Sequence, residues 1–188
     1  AVTKHVPELT PCISDTRSPM HYTAEIAKKA DPDCISVFIG PCLAKRREGM
    51  DDEFVDYVLS IEEIGALFVA KEIDVAKTEA EPGSIIPTIS GRNFAVSGGV
   101  AESVRLRLHN PEKLKPTVIN GLNKAGMKQL AQYGKIHAGE VPHTEDCPNL
   151  IEVMACEGGC IAGPSVITNP RVAAIQLKKY VEAGASDT

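Results

Sequence analysis

Short apolar runs alternate along this chain with stretches whose apolar positions recur every three or four residues. The runs Cys34–Ile39, Val55–Leu59, Thr117–Leu122 and Asn149–Met154 read as buried strands, the first closed by Gly40-Pro41-Cys42 and the last leading into Cys156. Between them lie helical patterns. Pro19 to Lys29 is predicted helical, with Ser18 as N-cap and Pro19 at the first position. Ser60 caps a second helix from Ile61 to about Lys71, where Glu63 suits a capping box. Phe94–Ser97 is short and apolar, and Gly98-Gly99 opens a helix reaching about His109. Lys124 to Tyr133 is a further helix. Asn169 caps the last one, which starts at Pro170 and runs to about Ala183. Residues 76–93, with Pro82, Gly83, Pro87 and Gly91, look irregular.

Strand, loop and helix in repetition is the signature of an α/β fold, here a mostly parallel sheet flanked by helices. No internal repeat or long linker interrupts it, so residues 1–188 are expected to form a single domain or one lobe of a larger one. Ligands of such folds sit beyond the carboxyl ends of the strands. Cys42, Gly98 and Cys156 each follow a predicted strand, so three stretches are expected to converge on one sheet edge.

Composition narrows the function. With 43% hydrophobic and 24% charged residues, the chain is an ordinary globular sequence. Its net charge of −5, with no basic stripe beyond Lys45-Arg46-Arg47, argues against a nucleic-acid partner. No apolar run approaches the roughly 20 residues of a membrane span, and no signal-peptide core opens the chain, so no membrane is expected and a cytoplasmic location is. Six cysteines could form three disulfides, but the size of the chain favours reduced thiols that bind metal or react.

Two cysteine segments stand out. One is Gly40-Pro41-Cys42-Leu43-Ala44-Lys45. The other is Glu152-Val-Met-Ala-Cys156-Glu-Gly-Gly-Cys160 followed by Ile161-Ala162-Gly163. In the second, two thiols four positions apart flank a glycine pair that lets backbone approach a bulky ligand and offers N–H groups to it. An iron–sulfur cluster suits this arrangement, whose potential such hydrogen bonds tune. Zinc tolerates the spacing too, but wants a second ligand pair that only Cys42, Cys147 or a lone His could supply. Taken alone, Cys42 reads equally as a buried thiol and Lys45 as a solvated charge. Met154 and Phe94 read as core, Gly98-Gly99 as a strand-to-helix turn, and Cys34 as core within its strand. Cys12 and Cys147 read as non-ligands, and the five histidines show no paired spacing.

These segments resemble the catalytic domain of [FeFe]-hydrogenases. Pro41-Cys42-Leu-Ala-Lys45 is similar to the family's second signature, Met-Pro-Cys-x-x-Lys, and Glu152 to Cys160 matches its third, Glu-x-Met-Ala-Cys-x-Gly-Gly-Cys. The similarity extends to Pro7-Glu8-Leu9, Arg17-Ser18-Pro19, Asp56-Tyr-Val-Leu59 with Glu63, Phe94-Ala-Val-Ser-Gly98-Gly99-Val100-Ala-Glu102 and Val118 to Leu122, in the family's order. The resemblance implies one lobe of a two-lobed iron-only hydrogenase fold, bearing a [4Fe–4S] cluster bridged to a diiron subcluster, together the H-cluster, which interconverts H2 with protons and electrons. It implies Cys42, Cys156 and Cys160 as cluster ligands, Cys160 as the bridge, and Lys45 as a donor to a cyanide. Pro41, Phe94 and Met154 would line the diiron pocket, and Ser14 falls at a proton-relay position, where a turn or cap role is the alternative. A ferredoxin-like iron–sulfur partner would exchange the electrons.

The family's first signature, source of the fourth cysteine, precedes Pro7-Glu8-Leu9 and has no counterpart here, so a further lobe or subunit is expected and the chain alone should be inactive. Gly40 stands where Met is usual, Met20 where Gln is common, and Gly163-Pro164-Ser165 replaces a Gly-Gly-Gly-Gln-Pro run. Such departures resemble sensory members that signal H2 or redox state to a PAS or kinase region. Non-hydrogenase Nar1/Narf proteins of cytosolic iron–sulfur assembly are a third reading.

Overall fold

The computed structural model describes residues 2–81, 83 and 86–187, so Pro82 of the irregular stretch lies outside the described residues. The helices are α1 (Val2–His5), α2 (Pro19–Ala30), α3 (Ala44–Met50), α4 (Ile61–Ala70), α5 (Ile89–Arg92), α6 (Gly99–Arg105), α7 (Lys124–His137) and α8 (Pro170–Glu182). The strands are β1 (Val37–Gly40), β2 (Tyr57–Ser60), β3 (Pro116–Asn120) and β4 (Leu150–Met154), and short 3-10 turns fill several gaps. All strand pairing among the described residues is parallel apart from one isolated bridge, as an α/β fold requires. It forms two ladders, β1–β2 and β3–β4, so Cys42 follows a strand of one sheet and Cys156 a strand of the other, where convergence on one edge was expected. The chain divides into two compact units, one of Ala1–Ser14, Ile85–Ile161 and Pro170–Thr188, the other of Asp15–Ser84 and Ala162–Asn169.

In the second unit, Val37↔Tyr57 through Gly40↔Ser60 set the register of β1 and β2. The apolar run suggested a strand from Cys34, but the ladder begins three residues later. Ser36 is held by side chains instead: its N–H donates to Asp56 Oδ2 at 2.7 Å and its hydroxyl to the Phe54 carbonyl at 2.5 Å. Cys34 therefore lies outside the strand and is half-buried, where a core position was expected. The core is Met20 and Ala24 of α2 with Val55, against which Phe38, Phe54 and Val58 pack. Helix α3 approaches β2 closely because Gly49 has no side chain: a Cβ there would stand 2.6 Å from Val58 Cγ2.

Two expected caps have different outcomes. Ser60 and Glu63 form the capping box, with Glu63 N–H donating to Ser60 Oγ at 3.1 Å and Ser60 N–H to Glu63 Oε2 at 2.8 Å. Ser18 sits at the N-cap of α2 but makes no side-chain cap; its hydroxyl donates to the Glu48 carboxylate.

The first unit is built on β3–α7–β4, a strand–helix–parallel-strand unit with Pro116↔Leu150 through Asn120↔Met154 in register. Its core is Val6, Leu9, Ile119 and Leu130, the last two only 1% exposed. Asn123 caps α7, its Oδ1 accepting from the N–H groups of Ala125 and Gly126 at 3.0 Å. The helix continues to His137, past the expected end at Tyr133. Gly134 is interior because Val6 packs on it, with Val6 Cγ1 standing 2.5 Å from where a Cβ would be. The chain turns instead at Gly139, at φ +76°.

Helix α6 ends at Arg105, short of the expected His109. The Phe94–Ser97 run is a 3-10 turn, Asn93–Ala95, leading to Val96, which pairs with Gly159 in an isolated antiparallel bridge. Residues 89–92, expected irregular, form α5, capped by Thr88 Oγ1 accepting from Gly91 N–H at 3.1 Å.

Six carboxylates among the described residues titrate below their ordinary range, Glu25 and Glu102 beside Lys29 and Arg105 and four others. The Lys28 ammonium, 2.7 Å away, followed by the Ser36 N–H, lowers Asp56. Glu63 is lowered by the Ser60 N–H and by Arg46, and Asp187 first by the Ser90 hydroxyl. Burial works against the Asp52 carboxylate, but the Phe54 N–H and His21, 2.7 Å away, outweigh it and hold it low. With lowered folded-state values, the unfolded chain binds more protons, so these groups stabilise the fold above the ordinary carboxylate range of about 4 and lose that contribution as pH falls through it. Urea midpoints should therefore be flat from pH 7 to about 5 and fall steeply below about 4. Asp56→Asn should flatten that fall, and an unchanged profile would count against the pairing.

Candidate functional site

The last residues of β4 aim the chain at a compact loop. Met154 pairs with Asn120 at the strand end, and the Met154 and Ala155 carbonyls accept from the N–H groups of Gly121 and Leu122 at 3.0 and 3.2 Å. Cys156 and Cys160 then flank Gly158 and Gly159, at φ +86° and +91°, a left-handed pair open to glycine and strained for other residues. The Gly159 N–H closes the turn on the Cys156 carbonyl at 3.1 Å, and Asn120 Oδ1 accepts from Gly158 N–H at 2.7 Å. A Cβ on Gly159 would fall 2.4 Å from the Ala95 carbonyl oxygen and 2.8 Å from Ser97 N. The loop is thus pressed against the segment that precedes α6.

That segment is fixed by a residue sequence reasoning treated only as a motif position. Glu152 sits mid-strand in β4 and is 8% exposed. Its Oε1 accepts from Gly98 N–H at 2.8 Å and its Oε2 from Ala101 N–H at 2.7 Å. A buried carboxylate needs such partners, and the first turn of a helix supplies free N–H groups. A charge within Leu-Ile-Glu-Val-Met was the available signal. Gly98 takes φ +93° at the N-cap, and Gly99 has its Cα so near the Asn93 carbonyl that a Cβ would stand 2.0 Å from the oxygen. The glycine pair therefore opens α6 after a 3-10 turn and an isolated bridge, where a strand-to-helix turn was expected.

The other cysteine segment belongs to the second unit. The Cys42 carbonyl accepts from Lys45 N–H at 3.2 Å as α3 begins, and the thiol is half-buried. Lys45 Nζ donates to Glu48 Oε2 at 2.5 Å, and the same carboxylate takes the Ser18 hydroxyl. The Pro41 carbonyl accepts from the N–H of buried Ser165 at 3.3 Å. A Cβ on Gly40 would stand 2.6 Å from the Phe38 ring.

Phe94 and Met154 are half-buried in the first unit. Ser14 lines a cavity of about 470 Å3 there, together with Cys12, Cys147, His137 and His143. Cys12 Sγ lies 3.5 Å from His137 Nδ1, and Cys147 Sγ 3.4 Å from Thr144 N. Among the described residues no disulfide forms, and no three His, Cys, Asp or Glu side chains group to hold a metal ion.

The donor set at Cys156 and Cys160 fits an iron–sulfur group rather than contradicting one. Two thiols flank a cradle that only glycine can make, and beside it Ser97 Oγ is buried with no hydrogen-bond partner. An orphaned hydroxyl costs about 1–3 kcal/mol.

Residues 1–164 match the sequence profile of the iron only hydrogenase large subunit, C-terminal domain. The chain belongs to this family. The periplasmic [Fe] hydrogenase large subunit of Nitratidesulfovibrio vulgaris is 28% identical over 202 residues, covering 85% of this chain and 47% of the relative. The cytosolic Fe-S cluster assembly factor NAR1 of Eremothecium gossypii is 24% identical over 219 residues, covering 87% and 49%. NAR1 of Kluyveromyces lactis is 36% identical over 74 residues, covering 38% and 16%. The chain spans about half the length, or less, of these curated relatives.

Two solved structures share the fold. One concerns stepwise assembly of the [FeFe]-hydrogenase H-cluster, with a TM-score of 0.59 at 20% identity, covering 96% of this chain and 62% of the other. The second concerns oxygen inactivation through the H cluster 2Fe subcluster, with a TM-score of 0.57 at 19% identity, covering 96% and 61%. Family membership makes this an iron–sulfur protein fold of hydrogenase type, and no helix among the described residues is long and apolar enough to cross a membrane.

Glu152→Ala should cost about 2–4 kcal/mol, since it removes two charge-assisted bonds and leaves two N–H groups without them. Glu152→Gln, which keeps one acceptor, should cost less. Urea unfolding of both variants checks the order, and equal stability of Glu152→Ala and the parent would remove the clamp.

Proposed function

We propose that this chain is the C-terminal lobe, residues 1–188, of an iron–sulfur oxidoreductase that interconverts H2 with protons and electrons. The observation that carries the reading is the Cys156–Cys160 loop. A motif matching the family's third signature folds into a glycine cradle with two reduced thiols at the end of β4. On this reading Cys42, Cys156 and Cys160 hold a [4Fe–4S] cluster, with Cys160 also bridging to a diiron subcluster. A further lobe or subunit would provide the fourth cysteine. When bound, the group supplies the redox chemistry, H2 against two protons and two electrons.

The chain's own residues bind, orient and shield. The Gly158–Gly159 backbone, its N–H groups held by Asn120 Oδ1 and the Cys156 carbonyl, leaves room for the sulfur-rich ligand, and Pro41, Phe94 and Met154 would exclude water from the diiron pocket. Lys45, paired with Glu48 here, would serve as a charged donor to a cyanide of the group. Ser14 relays protons. A ferredoxin-like partner exchanges electrons, and the setting is cytoplasmic. The likeness to two NAR1 assembly factors favours a second reading, an iron–sulfur assembly protein with cysteine-held clusters and no diiron site. The departures at Gly40, Met20 and Gly163–Ser165 are those of the sensory alternative, an H2- or redox-responsive module signalling to a PAS or kinase partner.

Infrared spectra of the anaerobically matured, full-length gene product test the first reading. Bands in the CO and cyanide stretching region, lost in Cys160→Ser, are the expected result. Iron–sulfur absorbance without those bands would replace it with the assembly reading.

A further inference from the structure

Beside the Cys156–Cys160 loop lies a hydroxyl with nothing to bond. Ser97 follows Val96, the residue that pairs with Gly159, and precedes Gly98, whose N–H is fixed on Glu152. Its backbone nitrogen stands 2.8 Å from where a Gly159 Cβ would be, so Ser97 abuts the middle of the loop that separates the two thiols. Its Oγ is buried and makes no hydrogen bond; the only other such side-chain atom among the described residues is Arg92 Nε. Three backbone carbonyls of the segment already accept. Asn93 O accepts from Val96 N–H at 3.1 Å, Val96 O from Gly99 N–H at 3.0 Å and Gly98 O from Glu102 N–H at 3.1 Å.

Packing alone gives no reason for the oxygen, since an alanine would fill the same space without a stranded polar atom. Segment 95–98 is also held on both sides, by the Val96–Gly159 bridge and by Glu152, so the Ser97 backbone stays against the loop. A buried donor locked beside a sulfur-binding loop fits an acceptor that arrives with the cofactor.

We propose that the Ser97 hydroxyl donates a hydrogen bond to sulfur, a cysteine thiolate or a sulfide, of the iron–sulfur group held at Cys156 and Cys160, and so raises its reduction potential. The inference rests on the iron–sulfur reading above. A hydrogen bond to sulfur stabilises the reduced, more negative state of a cluster more than the oxidised one. Ser97 is a positioning and tuning residue, distinct from the ligands themselves.

The test uses the full-length gene product, reconstituted anaerobically with iron and sulfide, as wild type, Ser97→Ala and Ser97→Thr. Potentials come from redox titrations followed by electron paramagnetic resonance, and stability of the cluster-free proteins from urea unfolding. In Ser97→Ala the reduced-to-oxidised ratio at fixed potential should fall about tenfold, a negative shift of about 59 mV for a one-electron couple. Ser97→Thr, which keeps the hydroxyl, should stay near wild type. Cluster-free Ser97→Ala should be as stable as wild type or more so, because the atom it loses has no partner there. Equal potentials for wild type and Ser97→Ala would overturn the proposal, since the hydroxyl would then be bonded to water. A loss of stability in cluster-free Ser97→Ala would overturn it as well, by placing its partner within the protein. Failure of the wild type to acquire iron–sulfur absorbance with its cysteines intact would be a different failure, that of the iron–sulfur reading itself.

Discussion

Two hydrogen bonds to one buried carboxylate fix the geometry on which the candidate site depends. Glu152 reaches from the middle of β4 to the N–H groups of Gly98 and Ala101, residues more than 50 positions away in the chain. Removing a charge from water is unfavourable unless its lone pairs are satisfied, and here the first turn of α6 satisfies them. The result is a rigid seat for segment 95–98, against which the Gly159 backbone lies too closely for any side chain. The positions of both thiols follow from that seat and from the end of β4. Neither thiol has to be held by its own side-chain contacts for the loop to keep its shape.

Much of this was legible in the sequence where the information is local. Strand runs, the Ser60–Glu63 capping box and the β3–α7–β4 alternation depend on neighbours within a few residues, and they appear where the pattern put them. Boundaries that depend on distant partners were not legible. Gly134 reads as a helix stop until Val6 is seen packed on it, and Cys34 reads as strand until Ser36 is seen held by Asp56 and Phe54. Ser18 has every local mark of a cap, yet Glu48, 30 residues away, takes its hydroxyl. The candidate site divides in the same way. Cys42, Cys156 and Cys160 were recognisable from motif and spacing, whereas Glu152 as a clamp and Ser97 as an orphan follow only from contacts that no spacing encodes.

The family connection and the physical reading support each other at different levels. Homology assigns the chain to the iron-only hydrogenase large subunits, a family whose curated relatives include both a hydrogenase and assembly factors. The geometry speaks to a narrower matter, how a glycine turn sets two thiols four positions apart while excluding side chains. That turn suits a cluster whichever member of the family this chain proves to follow. In the second unit, Lys45 is engaged with Glu48.

The interleaving of the two units bears on how the chain is made. It passes from one unit to the other four times, between residues 14 and 15, 84 and 85, 161 and 162, and 169 and 170. The loop bearing Cys156 and Cys160 lies just before the third passage. During synthesis from the N-terminus, the second unit cannot close until residues 162–169 have emerged, nor the first until α8 follows. Neither unit is a contiguous stretch that folds ahead of the other, so many of the stabilising contacts are long-range in sequence and folding is expected to be slow. The two thiols thus emerge before their surroundings are complete, and through that interval they are within reach of solution thiols, oxidants and metal ions.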